Sequence, residues 1–155
     1  DGTITAANAS TINDGAATVL LASSNKAKKL GLKPKARIVA QASAAHQPEW
    51  FTTAPVKAIK NVLSNAKLSI DDIDLFEINE AFAVVAMAAQ EELGIDSAKL
   101  NVYGGAVSLG HPIGASGARI VCTLLNAMER KQAQYGLAAI CIGGGEASAV
   151  ILERL

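Results

Sequence analysis

The chain has 155 residues, half of them hydrophobic, and fourteen basic side chains balance fourteen acidic ones. This composition predicts one compact soluble domain, and zero formal net charge makes nucleic acid and anionic membranes unexpected as partners. Every apolar run is interrupted before the ~20 residues that a membrane-spanning helix needs. The two cysteines, Cys122 and Cys141, fit no disulfide framework, which predicts a reducing compartment, most simply the cytoplasm.

The first half of the chain alternates predicted strands and helices. Residues 16–22 (AATVLLA) have the length of a buried strand, and residues 23–30 are typical of a helix that ends at Gly31. Residues 36–45 are again apolar and strand-like. Pro55 then lies in the first turn of a predicted helix. The apolar face of that helix is made by Val56, Ile59, Val62, Leu63 and Ala66.

The second half continues this alternation. Residues 73–78 are predicted as a strand, residues 80–93 as an Ala-rich helix and residues 115–130 as a longer helix. Residues 137–142 and 147–152 close the chain as two strands around a glycine turn. This order predicts an α/β layered domain whose sheet is mostly parallel with an antiparallel edge.

Asn79 lies between the predicted strand of residues 73–78 and the helix that follows. Open α/β sheets carry their functional sites beyond the carboxyl ends of strands, where helix N-termini also point. Asn is a preferred N-cap residue, so this side chain is predicted to cap the helix, to hold a water or a substrate oxygen, or to do both.

His111 is one of two histidines and lies between Gly110 and Pro112. These neighbours specify the backbone more tightly than a solvent-exposed loop histidine requires. A neutral imidazole at such a turn can take a proton from a thiol or donate a hydrogen bond to a developing oxyanion. We therefore predict a functional histidine.

Cys141 ends an apolar strand and runs directly into Gly143, Gly144 and Gly145. A buried inert thiol is the commonest fate of a free cysteine, and that interpretation is sufficient for Cys122 in the middle of a predicted helix. Glycines let a ligand approach backbone N–H groups closely, as an oxyanion hole requires. Together with the amide and the imidazole, Cys141 favours Cys/His acyl chemistry in which the thiol acts as acid and base.

Motifs for several other functions are not found. Residues 114–117 (GASG) lack the spacing of a G-x-S-x-G nucleophile elbow, and neither G-x-x-x-x-G-K-[ST] nor G-x-G-x-x-G occurs. The two cysteines and two histidines, including His46 in a polar loop, show no zinc spacing. The sequence thus disfavours a serine hydrolase and a nucleotide kinase, and it predicts no metal.

Three of these segments together resemble the C-terminal signatures of the thiolase family. They are NEAFA at 79–83, GGAVSLGHPIGASGAR at 104–119 and CIGGG at 141–145, and NASTINDGAA at 8–17 resembles the segment that opens the second domain. The CIGGG segment is more similar to the biosynthetic, acetoacetyl-CoA-forming branch, the acetyl-CoA acetyltransferases, than to the degradative branch. The resemblance implies a thiolase C-terminal domain over residues 1–155, an α/β half-domain with a five-stranded mixed sheet flanked by helices.

The resemblance also implies a reaction, in which two acetyl-CoA molecules condense reversibly to acetoacetyl-CoA and CoA through an acetyl-cysteine. His111 would activate the nucleophilic cysteine and help stabilise the enolate oxygen, and Asn79 would hold the water that completes that oxyanion hole. Cys141 would remove the α-proton of the second acetyl-CoA and return a proton to the departing thiolate. The backbone N–H of Gly143 would serve the oxyanion hole of the tetrahedral intermediate.

Two further positions match parts of the family that bind CoA. Ser10 corresponds to a residue near the pantetheine arm, and Phe82 corresponds to a wall of that tunnel. Acetyl-CoA, acetoacetyl-CoA and CoA are the implied ligands, and no cofactor beyond these thioesters is expected. The implied protein partners are the N-terminal thiolase half and further copies of the full protein, as a homodimer or homotetramer.

One departure from the family pattern concerns the nucleophile. The nucleophilic cysteine of the family belongs to the preceding half, and neither Cys122 nor Cys141 occupies its motif. The chain begins at Asp1 rather than at Met, so we expect a piece of a longer protein that is inactive alone. Three alternatives stay open: a longer-chain 3-ketoacyl-CoA thiolase, a non-catalytic packing or dimerisation module, and a thioester hydrolase with Cys141 as nucleophile.

Overall fold

Strands and helices alternate along residues 2–155, the part of the chain that the computed structural model describes. The longest helix has 16 residues, and no helix in this part of the chain is both long and apolar enough to cross a bilayer. Short 3₁₀ helices cover Pro48–Thr53 and Ser97–Lys99. The main elements in chain order are α1 (Ser24–Lys29), β1 (Ala36–Ala45), α2 (Ala54–Ala66), β2 (Leu75–Ile78), α3 (Ala83–Leu93), α4 (Ala106–Leu109), α5 (Ser116–Lys131), β3 (Tyr135–Ile142) and β4 (Glu146–Arg154).

Helix α2 begins where its sequence predicts. Pro55 lies in the first turn, where its missing N–H costs no helical hydrogen bond. Lys67 ends the helix in a left-handed conformation, with φ of 57°, and donates its backbone N–H to the carbonyl of Leu63. The predicted apolar face is confirmed, since Val56, Ile59, Val62 and Leu63 are buried and Ala66 is half-buried.

Helix α3 begins at Ala83, later than the predicted start at residue 80. Phe82 is still extended, with φ of −137°, and the backbone N–H of Ala83 donates to the carbonyl of Asn8 at 2.8 Å. The side chain of Glu80 meanwhile accepts a hydrogen bond from the backbone of Val107. Contacts with distant segments thus hold these residues out of the helix.

The strands form one mixed sheet in the order β1–β4–β3–β2. Strands β2 and β3 are parallel, with Ile78 opposite Ala139, and β4 runs antiparallel to both β3 and β1. The prediction of a mostly parallel sheet with an antiparallel edge is wrong, because β4 lies inside the sheet and makes two of the three strand pairs antiparallel. The tight turn after β3 returns the chain beside that strand, and β1 then pairs with the far side of β4.

The prediction of a five-stranded sheet is also wrong for this chain, because residues 2–155 form four strands. Residues 16–22, the predicted first strand, pair with no neighbour, and Leu20 and Leu21 are 81% and 71% exposed. The free edge of β2 is occupied by the Asn101 side chain, which bonds the N–H and the carbonyl of Ile78 at 2.8 and 2.9 Å. A strand-like composition shows propensity for a sheet, but it does not supply a partner strand.

Helices cover the two faces of the sheet unequally. Helices α2 and α3 pack on one face over buried Phe76, Leu137 and Ile151. Helix α5 covers β2 and β3 on the opposite face through Ile120 and Leu124. Beside α5, this second face carries a groove of about 420 Å³ over β1 and β4. Its lining includes Gln41, Ser43, Val121, Ile140, Ser148 and Val150.

Candidate active site

The candidate site lies at the carboxyl ends of β2 and β3. Asn79 directly follows β2 and continues the parallel pairing, because its backbone N–H donates to the carbonyl of Ala139 at 2.9 Å. Cys141 lies near the end of β3. Since neighbouring parallel strands finish at the same end of the sheet, Asn79 and Cys141 lie together at that end. Both are buried, with 1% and 8% of their surfaces exposed.

His111 reaches this end of the sheet from the loop between α4 and α5. Its Nε2 lies 3.5 Å from Nδ2 of Asn79. The alternative in which Asn79 caps the following helix is wrong, because the N-cap residue of α3 is Phe82. The Asn79 amide faces His111 on one side and Arg119 on the other, whose Nη2 donates to Oδ1 at 3.2 Å. The structure therefore brings the predicted amide and imidazole together.

Ser116 holds the second ring nitrogen of His111. Nδ1 lies 2.6 Å from Oγ of Ser116, and this Oγ donates to the carbonyl of Pro112 at 3.0 Å. A hydroxyl has one hydrogen to donate, and when Oγ gives it to Pro112 it accepts from Nδ1–H. This arrangement, which agrees with Nδ2 of Asn79 facing Nε2, assigns the proton of the neutral ring to Nδ1 and leaves Nε2 unprotonated. Ser116 is completely buried and was not among the predicted site residues. Its place in the first turn after the histidine loop is the sequence signal that points to it.

Residues 8–13, here called the N-terminal strip, hold both loops of the site. Ser10 donates its backbone N–H and its Oγ to the carbonyl of Ala81, at 3.0 and 2.9 Å. His111 donates its backbone N–H to the carbonyl of Thr11 at 2.8 Å. The strip therefore fixes the loop after β2 relative to the histidine loop.

The two positions predicted at the CoA tunnel have structural contacts in this chain. Ser10 is half-buried, and its hydroxyl is bound to the carbonyl of Ala81. Phe82 is half-buried, and its ring meets Phe51 edge-on with centroids 6.0 Å apart. A role of Ser10 or Phe82 in binding CoA stays a prediction.

A buried acidic residue lies behind Asn79. Glu77 of β2 is 2% exposed, and its Oε2 is 3.9 Å from Nη1 of Arg119. Burial raises the pKa of Glu77 to about 7, Arg119 opposes this rise, and the charge of Glu80 adds to it. Neither Glu77 nor Arg119 was among the predicted site residues. An acidic side chain inside an otherwise apolar strand is the signal that points to this pair.

Glu80 joins the loop after β2 to the segment before α4. Its Oε2 accepts the backbone N–H of Val107 at 3.0 Å, and its Oε1 accepts from Nδ2 of Asn101 at 3.1 Å. The carboxyl group packs so closely on Gly105 that a Cβ at that position would lie 2.2 Å from the Glu80 carboxyl carbon. The acidic residue of the NEAFA segment therefore has a structural role here.

The glycine turn after Cys141 combines one open position with one crowded position. Gly143 is exposed, and a Cβ there would meet nothing within 4 Å. Gly145 has φ of 88°, and a Cβ there would lie 2.4 Å from the carbonyl oxygen of His46. Glycine is thus required at position 145 by the backbone, whereas position 143 has free space beside the site.

Burial sets the protonation states of the two acid–base candidates. It lowers the pKa of His111 below the ordinary 6.5, with a further contribution from the Arg119 charge, so the imidazole is neutral at pH 7. Burial raises the pKa of Cys141 above the ordinary 9.0, so the thiol keeps its proton. Within residues 2–155, no three His, Cys, Asp or Glu side chains are grouped to hold a metal ion. The site therefore offers a neutral base and a protonated acid.

Comparison with known proteins places this arrangement in a family. Residues 32–154 match the thiolase C-terminal domain. The chain belongs to the thiolase family. It is 56% identical over 155 residues to the probable acetyl-CoA acetyltransferase of Dictyostelium discoideum, and the alignment covers 100% of this chain and 37% of that thiolase.

Solved thiolase structures have the same fold. The acetyl-CoA acetyltransferase of Bacillus anthracis matches with a TM-score of 0.97 and 45% identity, over 99% of this chain and 39% of that chain. The Acat5 thiolase of Ascaris suum, solved in complex with coenzyme A, matches with a TM-score of 0.90 and 48% identity, over 99% of this chain and 40% of that chain. The predicted thiolase fold is therefore confirmed, and the chain spans about two fifths of the length of these thiolases.

Proposed function

We propose that the full-length protein is an acetyl-CoA acetyltransferase, which condenses two acetyl-CoA molecules reversibly to acetoacetyl-CoA and CoA, and that this chain is its C-terminal catalytic half. The proposal rests on one observation, the approach of His111 Nε2 to within 3.5 Å of Asn79 Nδ2 at the end of the sheet that also holds Cys141. An unprotonated imidazole nitrogen beside an amide N–H, at the end of a sheet that also carries a thiol, is a suitable set for acyl transfer between thiols.

The first half-reaction begins with a cysteine of the preceding half. His111 Nε2 takes the proton of that thiol, and the resulting thiolate attacks the carbonyl carbon of acetyl-CoA. The neutral state of His111 and the tautomer fixed by Ser116 support this role, because both leave Nε2 free to accept a proton. When the C–S bond of acetyl-CoA breaks, Cys141 gives its proton to the departing CoA thiolate. The raised pKa of Cys141 supports a thiol that starts as an acid.

The second half-reaction uses the thiolate that Cys141 has then become. A thiolate with a raised pKa is a stronger base, and it removes the α-proton of the second acetyl-CoA. The carbanion attacks the acetyl group on the cysteine, and the cysteine thiolate leaves and regains a proton from His111. The enolate oxygen is stabilised by His111 and by a water held on Asn79, and the tetrahedral intermediate by the backbone N–H of Gly143.

Two features of the chain support a preceding half as its partner. The groove of about 420 Å³ over β1 and β4 is partly apolar and is large enough to accept side chains from another segment. Residues 16–22 lie in neither a helix nor a strand and expose Leu20 and Leu21, so they are available to pair with a sheet outside this chain. We propose that the N-terminal half occupies both surfaces, that Ser10 and Phe82 line the path of CoA, and that the full protein is a homodimer or homotetramer in the cytoplasm.

The first experiment is CoA-dependent cleavage of acetoacetyl-CoA by the full-length protein, by this chain alone, and by this chain mixed with a separately produced preceding half. We expect cleavage by the full-length protein and by the mixture, and none by the chain alone. Chain-length preference is measured in the same assay with 3-ketoacyl-CoA substrates of increasing length. A preference for the longer substrates would favour the 3-ketoacyl-CoA thiolase alternative.

Two other results would overturn the proposal. Release of CoA from acetoacetyl-CoA by the chain alone without added CoA, with an acyl group on Cys141 in the intact mass, would identify a self-contained thioester hydrolase. Full activity of the complete protein after His111→Ala and Cys141→Ala substitution would identify this half as a packing module. The raised pKa of Cys141 argues against the thioesterase, because a nucleophilic cysteine needs a thiolate.

A further inference from the structure

Arg119 is a largely buried cation beside the site to which the proposed reaction gives no role. It lies on α5, and its side chain is 18% exposed. Nη2 donates to Oδ1 of Asn79 at 3.2 Å, and Nη1 is 3.9 Å from Oε2 of Glu77. Among residues 2–155, Nε and Nη1 find no hydrogen-bond acceptor. The contacts of the guanidinium are thus concentrated on Asn79 and Glu77.

The contact with Arg119 decides which way the Asn79 amide points. A guanidinium donates hydrogen bonds and accepts none, so the atom of Asn79 that faces it must be Oδ1. The other end of the amide, Nδ2, is then directed to Nε2 of His111. A flipped amide would place its carbonyl oxygen against the unprotonated Nε2 and its N–H groups against a cation. Both contacts would be repulsive.

One turn of α5 therefore orients both polar groups of the site. Ser116 and Arg119 are three positions apart, so they lie on the same side of the helix. Ser116 fixes the tautomer of His111, and Arg119 fixes the direction of the Asn79 amide. Within residues 2–155, Glu77 is the only carboxylate that forms an ion pair with Arg119, and it contacts the guanidinium from the side of β2.

We propose that Arg119 is a positioning residue for the acyl transfer, which acts by keeping the Nδ2–H groups of Asn79 directed at His111. This inference rests on the proposed function, because the amide must be a donor to hold water at the oxyanion. Arg119 contacts no substrate in this scheme. It acts through Asn79.

The test is Arg119→Gln in the full-length protein, with kcat and KM for cleavage of acetoacetyl-CoA measured on the pH plateau where His111 is neutral. We expect kcat to fall by about 10- to 100-fold while KM for CoA changes by less than about twofold, because the reacting groups are misdirected rather than removed. In an Asn79→Ala background the same substitution is expected to lower kcat by less than about twofold, because its target is gone. Arg130→Gln, an exposed arginine on the same helix, is the matched control.

Arg119→Gln leaves Glu77 without its ion partner, and an unpaired buried charge can unfold a protein. The double variant Glu77→Gln/Arg119→Gln removes both charges and is expected to show the same loss of kcat with a thermal unfolding midpoint near that of the unaltered protein. The role is overturned if either variant turns over like Arg130→Gln, if the loss is equally large in the Asn79→Ala background, or if Asn79→Ala itself costs nothing. The first two results would leave the proposed function intact, whereas normal kcat in Asn79→Ala would also remove the role that the proposed function gives to Asn79. No cleavage by the unaltered full-length protein would overturn the proposed function and this role together.

Discussion

Nδ1 of His111 and Oγ of Ser116 lie 2.6 Å apart, and the hydroxyl hydrogen of Ser116 is already committed to the carbonyl of Pro112. In this arrangement the histidine donates along the contact. This relationship makes Nε2 the basic nitrogen, and Nε2 is the ring atom that faces Asn79. A buried hydroxyl with no direct part in the chemistry thus determines which nitrogen performs it.

Ser116→Ala in the full-length protein is expected to lower kcat by about 10- to 100-fold, as losses of groups that orient a functional histidine do in metal sites. The cause is that the neutral ring can then place its proton on either nitrogen. The measurement is steady-state thiolysis of acetoacetyl-CoA. Ser64→Ala, at an exposed position of α2, is the control. Equal kcat values for the two variants would show that Ser116 does not set the tautomer.

His111→Ala and Cys141→Ala are each expected to lower kcat of the full-length protein by on the order of 10²–10⁴, the usual contribution of an acid–base group. Cys122→Ala removes the same side chain from the middle of α5 and serves as the control for Cys141. Near-normal thiolysis in either test variant would refute the role assigned to that residue.

The pH dependence of thiolysis is expected to report the state of His111. Its pKa is lowered by burial and by the charge of Arg119, so the ascending limb of kcat/KM should lie below pH 6.5. Arg119→Gln removes the charge that helps to lower this pKa, so the ascending limb of the kcat/KM profile is expected to move to higher pH. The pH–rate profiles of this variant and of Arg130→Gln make the comparison. Superimposable limbs would contradict the prediction.

The glycine turn after Cys141 offers a matched pair of substitutions. Gly145→Ala places a Cβ 2.4 Å from a backbone oxygen at a φ of 88° and is expected to destabilise the protein by roughly 1–3 kcal/mol. Gly143→Ala meets nothing within 4 Å, so its unfolding midpoint should be normal. Its Cβ would instead stand where a thioester is proposed to bind, and kcat/KM should fall. A normal midpoint for Gly145→Ala would show that the turn relaxes without cost.

Glu77 is expected to make the protein less stable as pH rises. Its pKa is raised from 4.5 to about 7 in the folded state, so between these values the folded protein binds the proton that the unfolded chain has released. The free energy of unfolding is therefore greatest below pH 4.5, and it falls by up to roughly 3 kcal/mol as the pH rises past about 7. Glu77→Gln removes this dependence.

Thermal unfolding of the full-length protein at pH 5 and pH 8 measures the effect. The midpoint of Glu77→Gln, relative to the unaltered protein, should be higher at pH 8 than at pH 5. Glu91→Gln, an exposed glutamate on α3, should show the same relative midpoint at both pH values. A pH-independent difference for Glu77→Gln would mean that Arg119 keeps the carboxylate ionised.

The sequence was sufficient to predict α1, α2, α3 and α5, and the strand ends and loop that carry Asn79, His111 and Cys141, because turn residues and apolar periodicity are local signals. It did not predict the short helix α4 or the start of α3. It did not predict the fate of residues 16–22 or the central position of β4. Both depend on which strand edges are free, and that is a property of the whole sheet. Ser116 and Arg119 were missed for a related reason. Their roles come from what their side chains meet across the fold.

The contacts of the N-terminal strip have a consequence for where this protein can be divided. The family match begins at residue 32, but the carbonyl that receives the His111 backbone N–H belongs to Thr11. A polypeptide cut at the family boundary would keep His111, Asn79 and Cys141 but lose the hydrogen bonds through which the N-terminal strip joins the loop after β2 to the histidine loop. We therefore expect that a two-chain version should be divided before Asn8, because a cut at residue 31 separates the N-terminal strip from the two loops that it contacts.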